Sequence, residues 1–280
     1  MQRAGERDAG AETVPVDRTV VLGVDAHRCE NGGVRCYCNC ITSAGCKSLV
    51  ELLSLTGLRF GWRSDQTLLD IDALALASGE RLFLRGPSGC GKSTLLGLIG
   101  GVLQPRSGSI HLLGQALEAL RPAARDRLRA DHIGFVFQQF NLLPYLDARD
   151  NVLLPLGFSR RRAAAVGSDP RARADELLRR LNLDADALAG QAAAELSFGQ
   201  QQRVAVARAL IGAPELIVAD EPTSALDADN RKAFLDLLAK ECARSGTALL
   251  FVSHDASLAD GFDRVLDLPA LNRATAPACC

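Results

Sequence analysis

The chain has 280 residues with 32 basic and 33 acidic side chains, a formal net charge of -1. At this length a compact fold buries roughly three quarters of the surface exposed by its unfolded chain, so it needs no disulfide or metal to hold a core. The near-neutral balance leaves no broad electrostatic footprint for nucleic acid or anionic lipid, and a hydrophobic fraction of 48% excludes wholesale disorder. No apolar run approaches the 18 or so residues that a membrane-spanning helix requires. The opening MQRAGERDAGAETVPVD mixes charges of both signs and lacks the apolar centre of an export signal. These features predict a cytoplasmic protein whose membrane role, if it has one, goes through a partner.

Residues 1–50 show no sustained period of 2.0 or 3.6, and five of the nine cysteines fall here, from Cys29 to Cys46, as C-x6-C-x-C-x-C-x5-C. Three readings remain open. The segment is a start assigned too far upstream, a disordered tail, or a small metal module, although no C-x2-C pair is present to favour the last.

From Leu52 the pattern becomes regular. LTGLRF and LLDIDALAL alternate like strands, RLFLRG is a short buried-strand run, and KSTLLGLIGG is helical. A turn at Pro105–Gly108 leads to a strand at SIHLLG. The middle is helical and rich in arginine, around Arg121–Arg129 and at ADELLRRLN, with Gly167 and Pro170 dividing SRRRAAAVGSDPRARA into two pieces. Beyond Gly199 a helix (QQQRVAVARALIG), a buried strand (ELIVAD), a helix (DNRKAFLDLLAKECAR) and two strands (TALLFVSHD, RVLDL) follow. Helices alternating with buried strands predict an α/β fold with a mostly parallel sheet covered on both faces.

GPSGCGKST, residues 86–94, satisfies G-x-x-x-x-G-K-[ST] between a predicted strand and a predicted helix. Gly86, Gly89 and Gly91 let the backbone curl so that N–H groups point at phosphate oxygens, and the helix that follows presents its positive end to the same charge. Lys92, one of only four lysines against 28 arginines, is placed for the β- and γ-phosphates, and Ser93 for Mg²⁺. ELIVADEP ends in Asp220 and Glu221. Strand geometry sends neighbouring side chains to opposite sides, which predicts Asp220 as a water-mediated Mg²⁺ ligand and Glu221 as the general base on the attacking water. Two surface acids at a solvated strand end is the competing reading.

LSFGQQQRVAVARAL (Leu196–Leu210), SALD (Ser224–Asp227), Gln138 in FVFQQFNLLP and His254 in FVSHD complete a set in fixed order. From about Leu52 to Leu268 the chain resembles the nucleotide-binding domain of ATP-binding cassette (ABC) proteins. The resemblance implies a P-loop NTPase of ABC type, with an N-terminal antiparallel β subdomain and a helical signature subdomain, over residues 51–280. It implies ATP and Mg²⁺ as cofactors, held by the whole loop Gly86, Pro87, Ser88, Gly89, Cys90, Gly91, Lys92, Ser93 and Thr94.

It implies further that two copies face each other head to tail, with Ser197, Gly199 and Gln200 of one contacting the γ-phosphate held by the other. Gln138 would touch Mg²⁺ and the attacking water, His254 would hold the γ-phosphate and the water, and Asp227 would brace the seam. Taken alone, His254 is more often a structural residue at a strand end, and its register with the other motifs reverses that. Trp62, 24 residues before Gly86, would stack on adenine, with a core Trp as the alternative. Phe198 replaces the first glycine of the family's usual L-S-G-G-Q.

FVFQQFNLLP and DARDNVLLPL resemble the lipoprotein-release and macrolide-export group, which implies a separate membrane permease on the inner face of the membrane and the run Phe140–Pro144 as part of its docking groove. The partners expected are that permease and a second, identical nucleotide-binding subunit, with no nucleic acid. The rivals are an uptake system, a soluble ABC ATPase of DNA repair or translation, and a nucleotide-binding regulator without turnover. No heptads and a single phosphate loop argue against the second, and an intact Glu221 and His254 against the third.

Overall fold

The computed structural model describes residues 27–31, 34–38, 49–224 and 226–274. Residues 1–50 and 51–280 form separate units. In the first, β1 (His27–Asn31) and β2 (Val34–Cys38) pair as an antiparallel hairpin with Cys29 opposite Cys36, where the sequence predicts no regular element. The cysteine side chains, and with them the metal reading, lie outside the described residues, as does the assignment of the start.

In the second unit, residues 51–60 of β3 (Leu49–Phe60) pair with β4 (Leu69–Ala77) on one side and β6 (Ser107–Leu112) on the other, all antiparallel. Between β4 and β6 lie β5 (Arg81–Arg85) and α1 (Lys92–Ile99). The short β7 (Gln115–Ala116) returns along β6. Then follow α2 (Pro122–His132), β8 (Ile133–Val136), α3 (Ala148–Phe158), α4 (Arg160–Val166), α5 (Pro170–Arg180) and α6 (Phe198–Leu210). The chain finishes with β9 (Leu216–Asp220), α7 (Ala228–Ser245), β10 (Ala248–Ser253), β11 (Arg264–Asp267) and the four-residue α8 (Leu268–Leu271). The parallel sheet runs β11-β5-β10-β9-β8.

Side chains of a strand alternate between faces, and here both faces are apolar because both are covered. Phe83, Ile217, Ala219, Leu249 and Phe251 pack with α3, α5, α6 and α7. Leu82, Leu84, Val218, Leu250 and Val252 pack with α1 and the antiparallel sheet. The expected α/β fold, with its antiparallel β and helical additions, is what forms. Among the described residues no helix is long and apolar enough to cross a membrane.

Within the second unit, β8 and α3 are the longer elements absent from the sequence reading. Gly134 inside β8 reads as a weak strand, yet a Cβ there would lie 2.3 Å from the carbonyl oxygen of Ala209, so glycine is what lets the end of α6 approach the sheet. α3 contains Pro155, normally a breaker, but begins on a cap in which the Asp147 carboxylate accepts from the Asp150 N–H at 2.8 Å. Fully buried Asn151 fixes the preceding loop: its Oδ1 accepts from the Leu143 N–H at 2.8 Å and its Nδ2 donates to Leu143 O, Leu146 O and Asp147 O.

At that same end of α6, Arg162 is 2% exposed and, among the described residues, has no carboxylate in hydrogen-bond contact. Its guanidinium instead donates to Ile211 O (2.7 Å) and Ala209 O (2.6 Å), satisfying carbonyls that the helix leaves without partners. Burial, aided by the charge of Arg161, lowers its pKa to about 10, so it remains a cation at neutral pH. Arg162→Met leaves those buried carbonyls unsatisfied and is expected to cost about 2–4 kcal/mol, read as a lower urea midpoint. A loss within about 0.5 kcal/mol contradicts a capping role.

Candidate active site

The phosphate loop leaves the end of β5 and closes on α1. Gly91 caps that helix at φ 99°, a left-handed conformation that calls for glycine. Lys92 opens the helix and is 6% exposed. Its Nζ donates to Gly86 O (2.8 Å) and Pro87 O (2.9 Å) and lies 3.1 Å from Glu221 Oε1. A buried ammonium is tolerated only with partners of this kind. Next to it, Ser93 Oγ donates to Asp220 Oδ2 at 3.0 Å.

The carboxylates arrive on β9, which pairs with β10 so that Asp220 lies opposite Val252. The alternation predicted for Asp220 and Glu221 fails at this point. The strand ends at Asp220, and Glu221 adopts φ 45° while its N–H donates to Val252 O at 2.9 Å. That left-handed residue turns its carboxylate back, so both acids line one cleft with different partners. Glu221 Oε2 is 3.0 Å from His254 Nδ1, beyond the end of β10. Burial raises the Asp220 carboxyl above its ordinary range and the charge of Glu221 adds to this, while the Ser93 hydroxyl and Lys92 oppose it.

The cleft, about 450 Å³, is bounded by Ser88, Gly89 and Gly91–Thr94, by Gln138 after β8, and by Trp62 at its rim. Trp62 is 67% exposed with its ring edge-on to Phe60, which removes the core-Trp alternative. Cys90 is half-buried in the same loop.

The remaining predicted residues lie elsewhere. Ser197 and Gln200 form a reciprocal cap at the start of α6: Ser197 Oγ accepts from the Gln200 N–H at 3.3 Å, and Gln200 Oε1 from the Ser197 N–H at 2.8 Å. Asp227 caps α7 by accepting from the Asn230 N–H at 2.9 Å. Phe198, Gly199 and Asp227 border a second cavity of about 450 Å³.

Sequence reasoning missed Arg231, which links Leu226 O (2.7 Å) beside Asp227 to Asp255 Oδ2 (2.6 Å) beside His254. It also misplaced Phe140. That ring is 2% exposed and packs inward on Phe198, so only Asn141 of the run Phe140–Pro144 lines the neighbouring groove. A residue at φ 60° turns its side chain out of the local pattern, and nothing in the apolar run signals this.

A buried P-loop lysine facing two carboxylates at the end of a parallel strand one place removed in the same sheet defines a P-loop nucleoside triphosphatase. The ABC transporter family matches residues 69–224, more than half of the chain, and the chain belongs to that family. The macrolide export ATP-binding/permease protein MacB 1 of Aeromonas hydrophila is 41% identical over 221 residues, 78% of this chain and 33% of that protein. The MacB protein of Rhodopseudomonas palustris is 41% identical over 220 residues, 77% of this chain and 32% of that protein. The chain thus spans about a third of the length of the curated relatives it matches. A dimeric post-hydrolysis structure of the ATP-binding cassette MJ0796 bound to ADP and Pi superposes with a TM-score of 0.68 at 37% identity, covering 77% of this chain and 94% of that one. The chain is an ABC-type ATPase.

Burial pushes the Cys90 thiol up, with Lys92 opposing, and pushes buried Cys242 up to about 12. A raised thiol pKa keeps the unreactive protonated form at neutral pH. Iodoacetamide labelling read by peptide mass spectrometry between about pH 7 and pH 9 is expected to leave Cys242 unmodified and to modify Cys90 more slowly than free cysteine. Faster labelling of Cys90 than of free cysteine contradicts this.

Proposed function

We propose that the chain is the ATP-driven motor of a membrane export system. The observation that carries the reading is the meeting of Lys92, Ser93, Gln138, Asp220 and Glu221 in one cleft, while Gly199 and Asp227 border a different cavity. That division supports a site completed by a second copy of the chain, each supplying the start of its α6 to the other's nucleotide. Dimeric MJ0796 offers a parallel.

Trp62 stacks on the adenine, and the loop N–H groups with Lys92 hold the phosphates and neutralise the charge that develops during transfer. The Ser93 hydroxyl and the Asp220 carboxylate, 3.0 Å apart, are hard oxygen donors of the type Mg²⁺ takes, and Gln138 borders the same space. Bound there, Mg²⁺ supplies charge stabilisation to the phosphate oxygens. Glu221 accepts the proton of the attacking water. His254, in contact with Glu221, orients that carboxylate and reaches the γ-phosphate.

A groove of about 650 Å³ lies between α2, β8 and α3, with Phe137, Leu154, Pro155 and Phe158 in its lining. Phe158 is 77% and Phe137 39% exposed. We read it as the seat for a cytoplasmic helix of the permease on the inner face of the membrane. The groove lies next to Gln138, so seating there has a short path to the nucleotide. The direction, export, follows the two macrolide-export relatives.

Phe158→Asp puts a charge where an apolar contact is required and is expected to cut recovery with a MacB-type permease lacking its own ATPase domain by tenfold or more, about 1.4 kcal/mol. ATP affinity, read by Trp62 fluorescence, should not change. Undiminished membrane recovery of Phe158→Asp overturns the seat.

A further inference from the structure

α6 holds the turn behind Gln138 at both of its ends. In its first turn, the Phe198 ring lies 4.7 Å from the Phe140 ring, centroid to centroid, with the planes at 60°. In its last turn, Arg208 donates to Asn141 O at 2.6 Å and to Phe140 O. Between these anchors Phe140 and Asn141 both sit at positive φ, 60° and 48°. Left-handed backbone costs a non-glycine residue roughly 1–2 kcal/mol, so the surroundings must enforce this turn. They do so through the buried Phe140 ring, through Arg208, and through two tight backbone bonds, Phe140 N–H to Phe137 O (3.0 Å) and Asn141 N–H to Gln139 O (2.6 Å).

Phe198 is therefore more than a tolerated departure in the signature sequence. It is 42% exposed at the mouth of the second cavity, and its other side covers a ring two residues from Gln138. A glycine at 198 would uncover one face of Phe140 and leave the turn to Arg208, the two backbone bonds and the ring's remaining core packing.

We propose that Phe198 is a positioning residue for Gln138, acting through Phe140, so that the start of α6 and the loop beside the cleft move as one body. This rests on the reading of Gln138 as a group that touches the attacking water. The role concerns turnover and leaves the resting affinity for ATP, held by Trp62 and the phosphate loop, untouched.

The test is steady-state ATP hydrolysis with Mg²⁺ by the full chain, with nucleotide affinity read from Trp62 fluorescence. Phe198→Gly is expected to lower kcat about three- to tenfold, the range an aromatic pair supplies, with KM and affinity changed less than about twofold. Phe198→Tyr, which keeps the ring, should restore kcat. Phe140→Leu, away from any partner-facing surface, should reproduce the loss. In a Gln138→Ala background Phe198→Gly should have no further effect, because the two act in series.

An equal fold-loss in both backgrounds overturns the proposal and assigns Phe198 to the partner-facing surface alone. Wild-type kcat for Phe198→Gly also overturns it. A silent Gln138→Ala overturns instead the reading of Gln138, and the positioning role falls with it.

Discussion

The register of three parallel strands is the constraint on which the site depends. Phe251 of β10 pairs with Phe83 of β5 and Ala219 of β9, and one residue later Val252 pairs with Leu84 and Asp220. The strands therefore end together, and each delivers its group to the same edge: Lys92 after β5, Asp220 and Glu221 after β9, His254 after β10. Ligands of open α/β sheets bind beyond the carboxyl ends of the strands for this reason. A one-residue slip of β9 would turn its buried faces over and remove both carboxylates from the lysine.

Charge and strain meet at that edge. Lys92 is almost fully buried and is tolerated through two loop carbonyls and the Glu221 carboxylate. Glu221 reaches both Lys92 and His254 from a left-handed backbone, a conformation held by its hydrogen bond to Val252. The same economy governs α6. Gln202 ties it to Pro222 O, Arg162 closes its last carbonyls, and Arg208 reaches from it to the turn after Gln138. One helix thus touches the carboxylate segment, the loop at the cleft and, in the proposed dimer, the second copy.

Much of this was legible in the sequence because its signals are local. The phosphate loop, the apolar strand before Asp220 and the break between α4 and α5 at Gly167 and Pro170 each depend on a few adjacent residues, and the structure has them there. What escaped depends on distant neighbours. Gly134 weakens β8 on paper, yet serves the approach of α6; Pro155 hides α3; Glu221 leaves strand alternation because Val252 O holds it. Phe140 reads as part of an exposed docking run but joins the buried core, with Phe198, 58 residues later, against one face of its ring. Buried Asn151 and Arg162 satisfy backbone groups that no pattern of hydrophobicity announces.

The central claim is that a site split between one cleft and the start of α6 is completed only when ATP joins two chains. Light scattering of the Glu221→Gln protein with and without ATP and Mg²⁺ tests it most directly, because loss of the base leaves ATP unhydrolysed in the joint site. The account predicts a monomer that becomes a dimer only when both are present. A protein that binds ATP, by Trp62 fluorescence, and stays monomeric would contradict it.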